Sequence, residues 1–255
     1  RCEGFLGKIL SSENSVEYVS FESDKNIELN RGLSLATSLK RVELPSELLQ
    51  IGTLEFWSCE KLEQIIVPKN ISVIGDSAFQ ECKSLKSITF EGDITEIQEE
   101  AFKYCISLSE IELPETITNI ADETFYSCES LVNLSLPDAL TDIGEYAFYG
   151  CSSLNDLSLP SGLKNIGNHA FFGCYSFENV FLPVTVVSIG AYAYAETGVK
   201  DVYIPSELTL SEYKESSFVI NEKEIKIHVT EGSWMDEHFD EMFLGAFSKI
   251  YETDN

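Results

Sequence analysis

Six of the seven cysteines in this chain stand at a constant interval of 23 residues, at Cys59, Cys82, Cys105, Cys128, Cys151 and Cys174. A fixed period of this length is typical of a solenoid, in which each repeat forms one coil and stacks on the next. A single coil of 23 residues cannot bury its own apolar face. Equivalent residues of successive coils must therefore form columns inside the stack.

Other apolar residues follow the same period, and phenylalanine does so at Phe56, Phe79, Phe102, Phe125, Phe148 and Phe171. Each unit can be written as L-x-x-I-x-L-P followed by x-x-L-x-x-I-G-x-x-A-F-x-x-C. In the first part apolar and polar residues alternate, which predicts a short strand that ends at the proline, since proline has no N–H for the ladder. In the second part apolar residues stand three or four apart, as in Ile143, Ala147 and Phe148. This spacing predicts short turns or α- or 3₁₀-helical segments on the outer side of the coil.

Together these patterns predict an α/β solenoid with a parallel strand ladder on its concave face and capped ends. The strong repeats span residues 39–204. We expect a degenerate N-terminal coil or cap over residues 1–38, and a degenerate last coil with a C-terminal capping helix over residues 205–255. The capping helix is expected to begin after the N-cap residue Ser233 and to break near Gly245. Caps shield the apolar surface of the terminal coils from water.

The strand of the last coil is predicted from the same columns. Ile225 and Ile227 lie one period after Val202 and Ile204. We therefore expect a final strand over residues 225–229, with Ile225 in register with Val202.

The cysteine column does not predict disulfides. Neighbouring coils should be about 4.7–4.9 Å apart, as strands are, whereas bonded cysteines need Cβ atoms about 3.5–4.5 Å apart. No C-x-x-C pair is present, which disfavours a zinc site. We expect the six thiols to be buried and free, with their S–H groups directed at loop carbonyls. Cys2 lies outside the column and is either a free thiol or, in a longer precursor, a lipidated cysteine.

Residues Leu131 to Cys151, which read LVNLSLPDALTDIGEYAFYGC, match one known repeat consensus almost throughout. They resemble the BspA-type, or treponeme-type, leucine-rich repeat family. The resemblance covers residues 39–204 strongly and the two ends weakly. It implies a secreted or cell-surface protein of a bacterium or a protozoan parasite, with a role in adhesion to host matrix, host cells or other microbes. It implies no catalytic residues, because the residues of the motif are structural.

The charge of the chain limits its partners. The formal net charge of −26 disfavours nucleic acid and anionic membrane surfaces as partners, because both need basic patches. It fits a basic partner, or solubility alone. No apolar run is long enough to cross a membrane. We expect any export signal or wall anchor to lie outside this sequence, and we expect a monomer.

Residues suited to catalysis are sparse. The three histidines stand near no recognisable nucleophile, and no G-x-S-x-G, P-loop or H-E-x-x-H motif occurs. We expect His169 and His228 to be exposed and His238 to pack in the capping helix. No calcium-binding loop of the D-x-D-x-D-G type is present. The sequence therefore predicts no enzyme activity, no cofactor and no metal site.

The polar positions between the buried strand residues should point outward on the concave face. Most of them are small and polar, but Phe181 and Tyr203 are aromatic and occupy adjacent coils. Exposed aromatic residues on a polar face are typical of binding hot spots. We predict a ligand site made of Phe181 and Tyr203 with Asn179, Asp201 and Asp156. The alternative is that the C-terminal cap folds over the two rings.

The predicted function is a non-enzymatic, secreted or cell-surface module that binds a protein or glycan through its concave face, with adhesion as the role. Glu110, Glu112 and Asp156 offer an acidic patch for a basic partner on that face, or a solvated surface. The alternative function is a structural spacer within a larger surface protein, with no ligand of its own.

Overall fold

The computed structural model describes residues 15–21, 29, 31–155, 157–210, 212–213, 225–242 and 247–252. The chain forms a solenoid of about nine coils in which every paired strand runs parallel to its neighbour. The strands, in chain order, are β1 (Tyr18–Ser20), β2 (Arg41–Glu43), β3 (Gln50–Ile51), β4 (Gln64–Val67), β5 (Val73–Ile74), β6 (Ser87–Phe90), β7 (Glu96–Ile97), β8 (Glu110–Glu112), β9 (Asn119–Ile120), β10 (Asn133–Ser135), β11 (Asp142–Ile143), β12 (Asn165–Ile166), β13 (Asn179–Phe181), β14 (Ser188–Ile189), β15 (Asp201–Tyr203), β16 (Glu212–Tyr213), β17 (Ile225–Thr230) and β18 (Phe247–Glu252). Two short helices, α1 (Trp234–Glu237) and α2 (Phe239–Met242), lie between the last two strands.

Each coil has three sides. The long-strand face consists of β1–β2, β4–β6–β8–β10 and β13–β15–β17–β18, and the short-strand face consists of β3–β5–β7 and β9–β11–β12–β14–β16. Register follows the repeat: Ile88 pairs with Ile111, and Ile143 with Ile166. The third side, the turn face, connects the end of each short strand to the next coil. The predicted solenoid with a parallel ladder is therefore confirmed.

The turn face is made of turns and left-handed residues rather than of helices. The N–H of Phe56 donates to the carbonyl of Ala78 in the next coil at 2.8 Å, whereas the N–H of Cys59 donates to the carbonyl of Phe56 at 3.0 Å. Because amides alternate between the next coil and their own coil, the i→i−4 pattern of an α-helix does not form. Between residues 31 and 196 of the described chain, two residues in the turn face of each coil have positive φ. These are Arg31, Leu35, Leu54, Ser58, Ser77, Glu81, Glu100, Tyr104, Glu123, Ser127, Tyr146, Gly150, His169, Gly173, Tyr192 and Glu196.

The phenylalanine column is the centre of the core. Its six members and Tyr194 have no exposed surface, and consecutive phenylalanine rings stack with centroids 5.0–5.5 Å apart. Ala78, Ala101, Ala147 and Ala170 directly precede four of the phenylalanines and are buried, and their small side chains let the coils approach. Thr124 occupies one of these alanine positions, and its hydroxyl donates to the carbonyl of Ala121 at 2.8 Å. A buried polar group is thereby satisfied locally.

The prediction for the cysteine column is confirmed. All six thiols are free and buried, and five donate to the carbonyl of the phenylalanine in the preceding coil at 3.1–3.2 Å. Cys59 donates to the carbonyl of Leu33, which stands where the first phenylalanine would be. Burial raises the pKa of Cys59 and of Cys151 to about 12. Cys2 lies outside the described residues.

The C-terminal elements differ from the prediction in two ways. The strand β17 is present, but Val202 pairs with Ile227 and not with Ile225, because this coil is two residues longer than the period. Ser233 caps α1 as predicted, since its Oγ accepts from the N–H of Asp236 at 3.2 Å. The helical segment is interrupted at His238, and Gly245 lies outside the described residues. The strand β18 then continues the long-strand face beyond β17.

Candidate binding surface

Three rings stack in consecutive coils on the long-strand face, and we call them the aromatic stack: Phe181 on β13, Tyr203 on β15 and His228 on β17. The centroids of Phe181 and Tyr203 are 4.5 Å apart with planes inclined by 4°, and those of Tyr203 and His228 are 4.2 Å apart with planes inclined by 19°. Strand alternation places these rings outward, because the residue directly before each ring points into the core; these residues are Val180, Val202 and Ile227. The parallel register therefore lines up the three rings at the spacing of the coils.

Asp201 fixes the end of the aromatic stack. Its Oδ1 lies 2.8 Å from Nε2 of His228, on the neighbouring strand. The side chain of His228 is only 12 % exposed, so the prediction that this histidine is exposed is wrong. It is covered because Tyr203 lies against its ring and Asp201 against its edge. The carboxylate thus holds the imidazole parallel to the tyrosine.

The other end of the aromatic stack is open. Phe181 is 59 % exposed, and the equivalent positions of the two preceding coils are the exposed residues Ser158 and Ser135. Because a large ring lies next to small side chains, the surface has a step at Phe181. One face of Phe181 is therefore available to a ligand group that would continue the stack.

A shallow groove of about 740 Å³ lies on the same face, over the coils that precede the step. Its polar lining includes Glu110, Glu112, Ser87 and Asn155, and its floor consists of apolar strand residues such as Leu134. Ser135 lines the groove and is two coils from Phe181, about 10 Å at the usual strand spacing. An extended ligand along the groove can therefore reach the aromatic stack.

The structure brings together four of the five residues predicted for the site. Phe181 is in register with Tyr203, and Asn179 with Asp201. Asp156 lies outside the described residues. The C-terminal segment does not cover Phe181, since β17 and β18 extend the sheet instead of folding over it. His228 was missed because a strict 23-residue period places Lys226 beside Tyr203.

Sequence reasoning also missed a second set of rings, on the turn face, although the period contains the signal. One column is Tyr126, Tyr149 and Phe172, with centroids 4.6 and 4.9 Å apart. The parallel column is Tyr146, His169 and Tyr192, with centroids 4.7 and 5.1 Å apart. These six residues, with Tyr104 against Tyr126 at 5.4 Å, form what we call the outer aromatic cluster. Each column repeats at intervals of 23 residues.

The remaining histidines occupy stacked positions. His169 is half-buried between Tyr146 and Tyr192, so the prediction that it is exposed is wrong. Its Nδ1 is buried and has no hydrogen-bond partner in the described part of the chain. His238 packs as predicted: its ring stacks on Trp234 at 4.2 Å, and its Nδ1 lies 2.8 Å from the carbonyl of Trp234.

The described residues contain neither a cluster of metal-ligating side chains nor a membrane-spanning helix. Within the described ranges, histidine, cysteine, aspartate and glutamate form no group of three or more that could hold a metal ion. Of the helices that the structure describes, none has the length and apolar character needed to cross a membrane.

A sequence model described as the BspA type leucine rich repeat region matches residues 12–131 and 95–226, with six copies of the repeat. The chain belongs to the BspA-type leucine-rich repeat family. Among solved structures it is similar to the leucine-rich repeat protein of T. pallidum (TpLRR), with 28 % identity and a TM-score of 0.56. That match covers 70 % of this chain and 80 % of the other.

Two further solved structures are less similar to this BspA-type chain. One is a leucine-rich cell surface protein of Faecalibacterium prausnitzii, with 22 % identity, a TM-score of 0.44 and coverage of 83 % of this chain and 79 % of that one. The other is the pneumococcal vaccine antigen PcpA, with 20 % identity, a TM-score of 0.47 and coverage of 86 % and 78 %. A comparison with curated protein sequences gave no match.

Proposed function

We propose that this chain is a non-enzymatic binding module that acts at the cell surface or after secretion, as an adhesin for a protein or glycan. The binding site is the open end of the aromatic stack together with the groove on the long-strand face. The observation that carries the proposal is the exposure of Phe181, which is 59 % accessible next to a step of serines. Exposed rings of this kind are enriched at binding hot spots.

The aromatic stack is suited to recognition because it is already organised. Tyr203 is held between two rings, and Asp201 holds His228. A ligand that stacks on Phe181 therefore orders few additional side chains, which lowers the entropic cost of binding. Membership of the BspA-type family supports an interaction module, and the surface location and adhesive role are carried over from the family resemblance.

The test compares the wild type with the double variant Phe181→Ala/Tyr203→Ala on immobilised fibronectin, laminin and collagen and on a glycan array. Removing two hot-spot rings should weaken binding to the recognised surface by tenfold or more, since truncation at such a residue costs about 2 kcal/mol. The matched control is Tyr175→Ala, an exposed tyrosine that lies outside both ring sets.

Equal affinity of wild type and double variant, with both folded by circular dichroism, would exclude the aromatic stack as the site. If the chain binds none of the probes, the spacer function is favoured instead.

A further inference from the structure

The outer aromatic cluster lies on the turn face, away from the site proposed above, and it is partly open to solvent. Tyr104 and Tyr192, at its two ends, are 37 % and 41 % exposed, and the rings between them are half-buried. Cross-contacts join the two columns, for example Tyr146 with Tyr149 at 5.7 Å and His169 with Phe172 at 5.7 Å. The cluster therefore presents one continuous surface of ring faces and edges across several coils.

One cation of the chain already lies on this surface. Nζ of Lys103 is 5.2 Å from the ring centroid of Tyr126 and 5.8 Å from that of Tyr104. The same ammonium group is 2.5 Å from a carboxylate oxygen of Glu123 and 3.6 Å from one of Glu100. Rings attract cations through their negative faces, and carboxylates fix the position of the cation. Lys103 thus shows what kind of group this surface binds.

The following coils repeat the rings without the cation. Tyr126, Tyr149 and Phe172 occupy the position of Lys103 in successive coils. In the described part of the chain, no lysine or arginine lies over Tyr149 or Phe172.

A groove with acidic lining lies where the short strands end, and two of its lining residues, Glu145 and Asn168, are the chain neighbours of cluster residues. Its volume is about 640 Å³, and Asp122, Asp142, Glu145 and Glu99 contribute carboxylates to its walls. Glu145 precedes Tyr146 of the cluster directly in the chain. Carboxylates beside open rings form a surface complementary to a guanidinium group, which can stack on a ring and pair with a carboxylate at once.

We propose that the outer aromatic cluster and its acidic border bind an arginine-rich segment of a protein partner. Guanidinium groups of the partner stack on the rings that follow Lys103, and neighbouring basic groups pair with Glu145 and Asp122. Charge complementarity favours this occupant over a neutral glycan, because the ring surface already holds Lys103 and the chain has a net charge of −26.

The test measures the binding of fluorescein-labelled deca-arginine by fluorescence anisotropy at physiological ionic strength. The double variant Tyr126→Leu/Tyr149→Leu removes two ring faces and leaves the charge unchanged, so general attraction to an acidic protein is the same in both proteins. Two cation–π contacts predict a loss of affinity of about fivefold to thirtyfold. Tyr175→Leu, which changes an exposed ring outside both the cluster and the aromatic stack, should leave the affinity unchanged.

A second pair of variants guards against a folding defect. Tyr104→Leu/Tyr192→Leu changes the two most exposed rings, and both positions have positive φ. Leucine is accepted at equivalent positions of this chain, since Leu35 and Leu54 have φ of 62° and 58°. This variant should fold and should weaken deca-arginine binding at least threefold.

Three results would overturn the proposal. The first is equal affinity of the wild type and both folded double variants, which would mean attraction by net charge alone. The second is no binding of deca-arginine. The third is cluster-dependent binding of a neutral chitin hexasaccharide in its place, which would mean a glycan site.

Discussion

Truncation of one ring in the phenylalanine column tests whether stacked columns hold the solenoid together. Phe102 has no exposed surface, and its ring stacks between Phe79 and Phe125 with centroids 5.5 Å away on both sides. Phe102→Ala leaves a cavity in a close-packed column, and such truncations cost about 3–5 kcal/mol. The substitution also removes two ring–ring stacking interactions, each of which is worth about 0.5–1.5 kcal/mol beyond buried area.

Because the stacking loss is part of the total cost of such a truncation, we expect Phe102→Ala to lie at the upper end of that range. It should lower the free energy of unfolding by about 4–5 kcal/mol, a large part of the roughly 5–15 kcal/mol of a typical domain. Phe181→Ala is the matched control: it also removes a stacked phenylalanine, but an exposed one, and should cost about 1 kcal/mol or less. Urea denaturation followed by circular dichroism gives both values.

Hydrogen exchange locates the effect of the truncation. A nearest-neighbour array should lose protection first in the coils beside residue 102. Equal destabilisation by Phe102→Ala and Phe181→Ala would refute the reasoning, because buried and exposed rings would then contribute alike.

Three further predictions concern the interior. Cys59 and Cys151 should react with DTNB at pH 8 only after denaturation, because burial raises the pKa of each thiol to about 12; mass spectrometry after labelling checks this, and fast labelling in the folded state would contradict it. Gly167→Ala should lower the unfolding free energy by about 1–3 kcal/mol, since a Cβ there would lie 2.5 Å from the carbonyl carbon of Gly144, one coil earlier. Gly162→Ala is the control: its Cβ would lie 3.7 Å from the nearest atom, the carbonyl oxygen of Asp138, so this variant should melt like wild type. Burial raises the pKa of Glu55 above its ordinary value of 4.5, although backbone N–H groups of the preceding coil offset part of the effect. The folded state therefore binds this proton more tightly than the unfolded state does. The free energy of unfolding of the wild type, relative to that of Glu55→Gln, should rise as the pH falls from 7 toward 4.5, and this gain should be lost as the pH rises through the raised pKa. Hydrogen exchange of residues 31–39 measures the difference, and a difference that does not change with pH would contradict the prediction.

The parts of the fold that depend on period could be predicted from the sequence. Once the coils stack in register, the period alone determines which residues share a buried column. Cys105 and Phe102 therefore lie where the repeat places them. The local conformation of the turn face could not be predicted, because residues three or four apart bury the same side in a helix and in consecutive turns. Hydrogen bonds from coil to coil, such as that from Phe56 to Ala78, decide between the two.

The candidate site was predicted as far as the repeat motif itself can be followed along the chain. Phe181 and Tyr203 are 22 residues apart, one fewer than the period, but each stands in the same place in its own repeat, and the prediction that they adjoin is confirmed by their register. His228 lies beyond a coil that is two residues longer, so a fixed period pairs Tyr203 with the wrong residue. An inserted pair of residues keeps the same side of the strand outward, because strand alternation has a period of two. Nothing in the pattern of buried residues therefore reveals such a shift.

Stacking by itself does not identify a binding surface in this fold. The solenoid places equivalent residues at the coil spacing, so a column of aromatic residues tends to stack whatever its role, as the buried phenylalanine column shows. What distinguishes the two proposed surfaces is that rings remain accessible: Phe181 ends a stack beside small residues, and Tyr192 ends another on the turn face. Accessible rings add no burial to the core and expose apolar area to water, which contributes little to folding. On the two proposals made above, these are the columns at which this chain would differ from a plain spacer, and the ring variants test both.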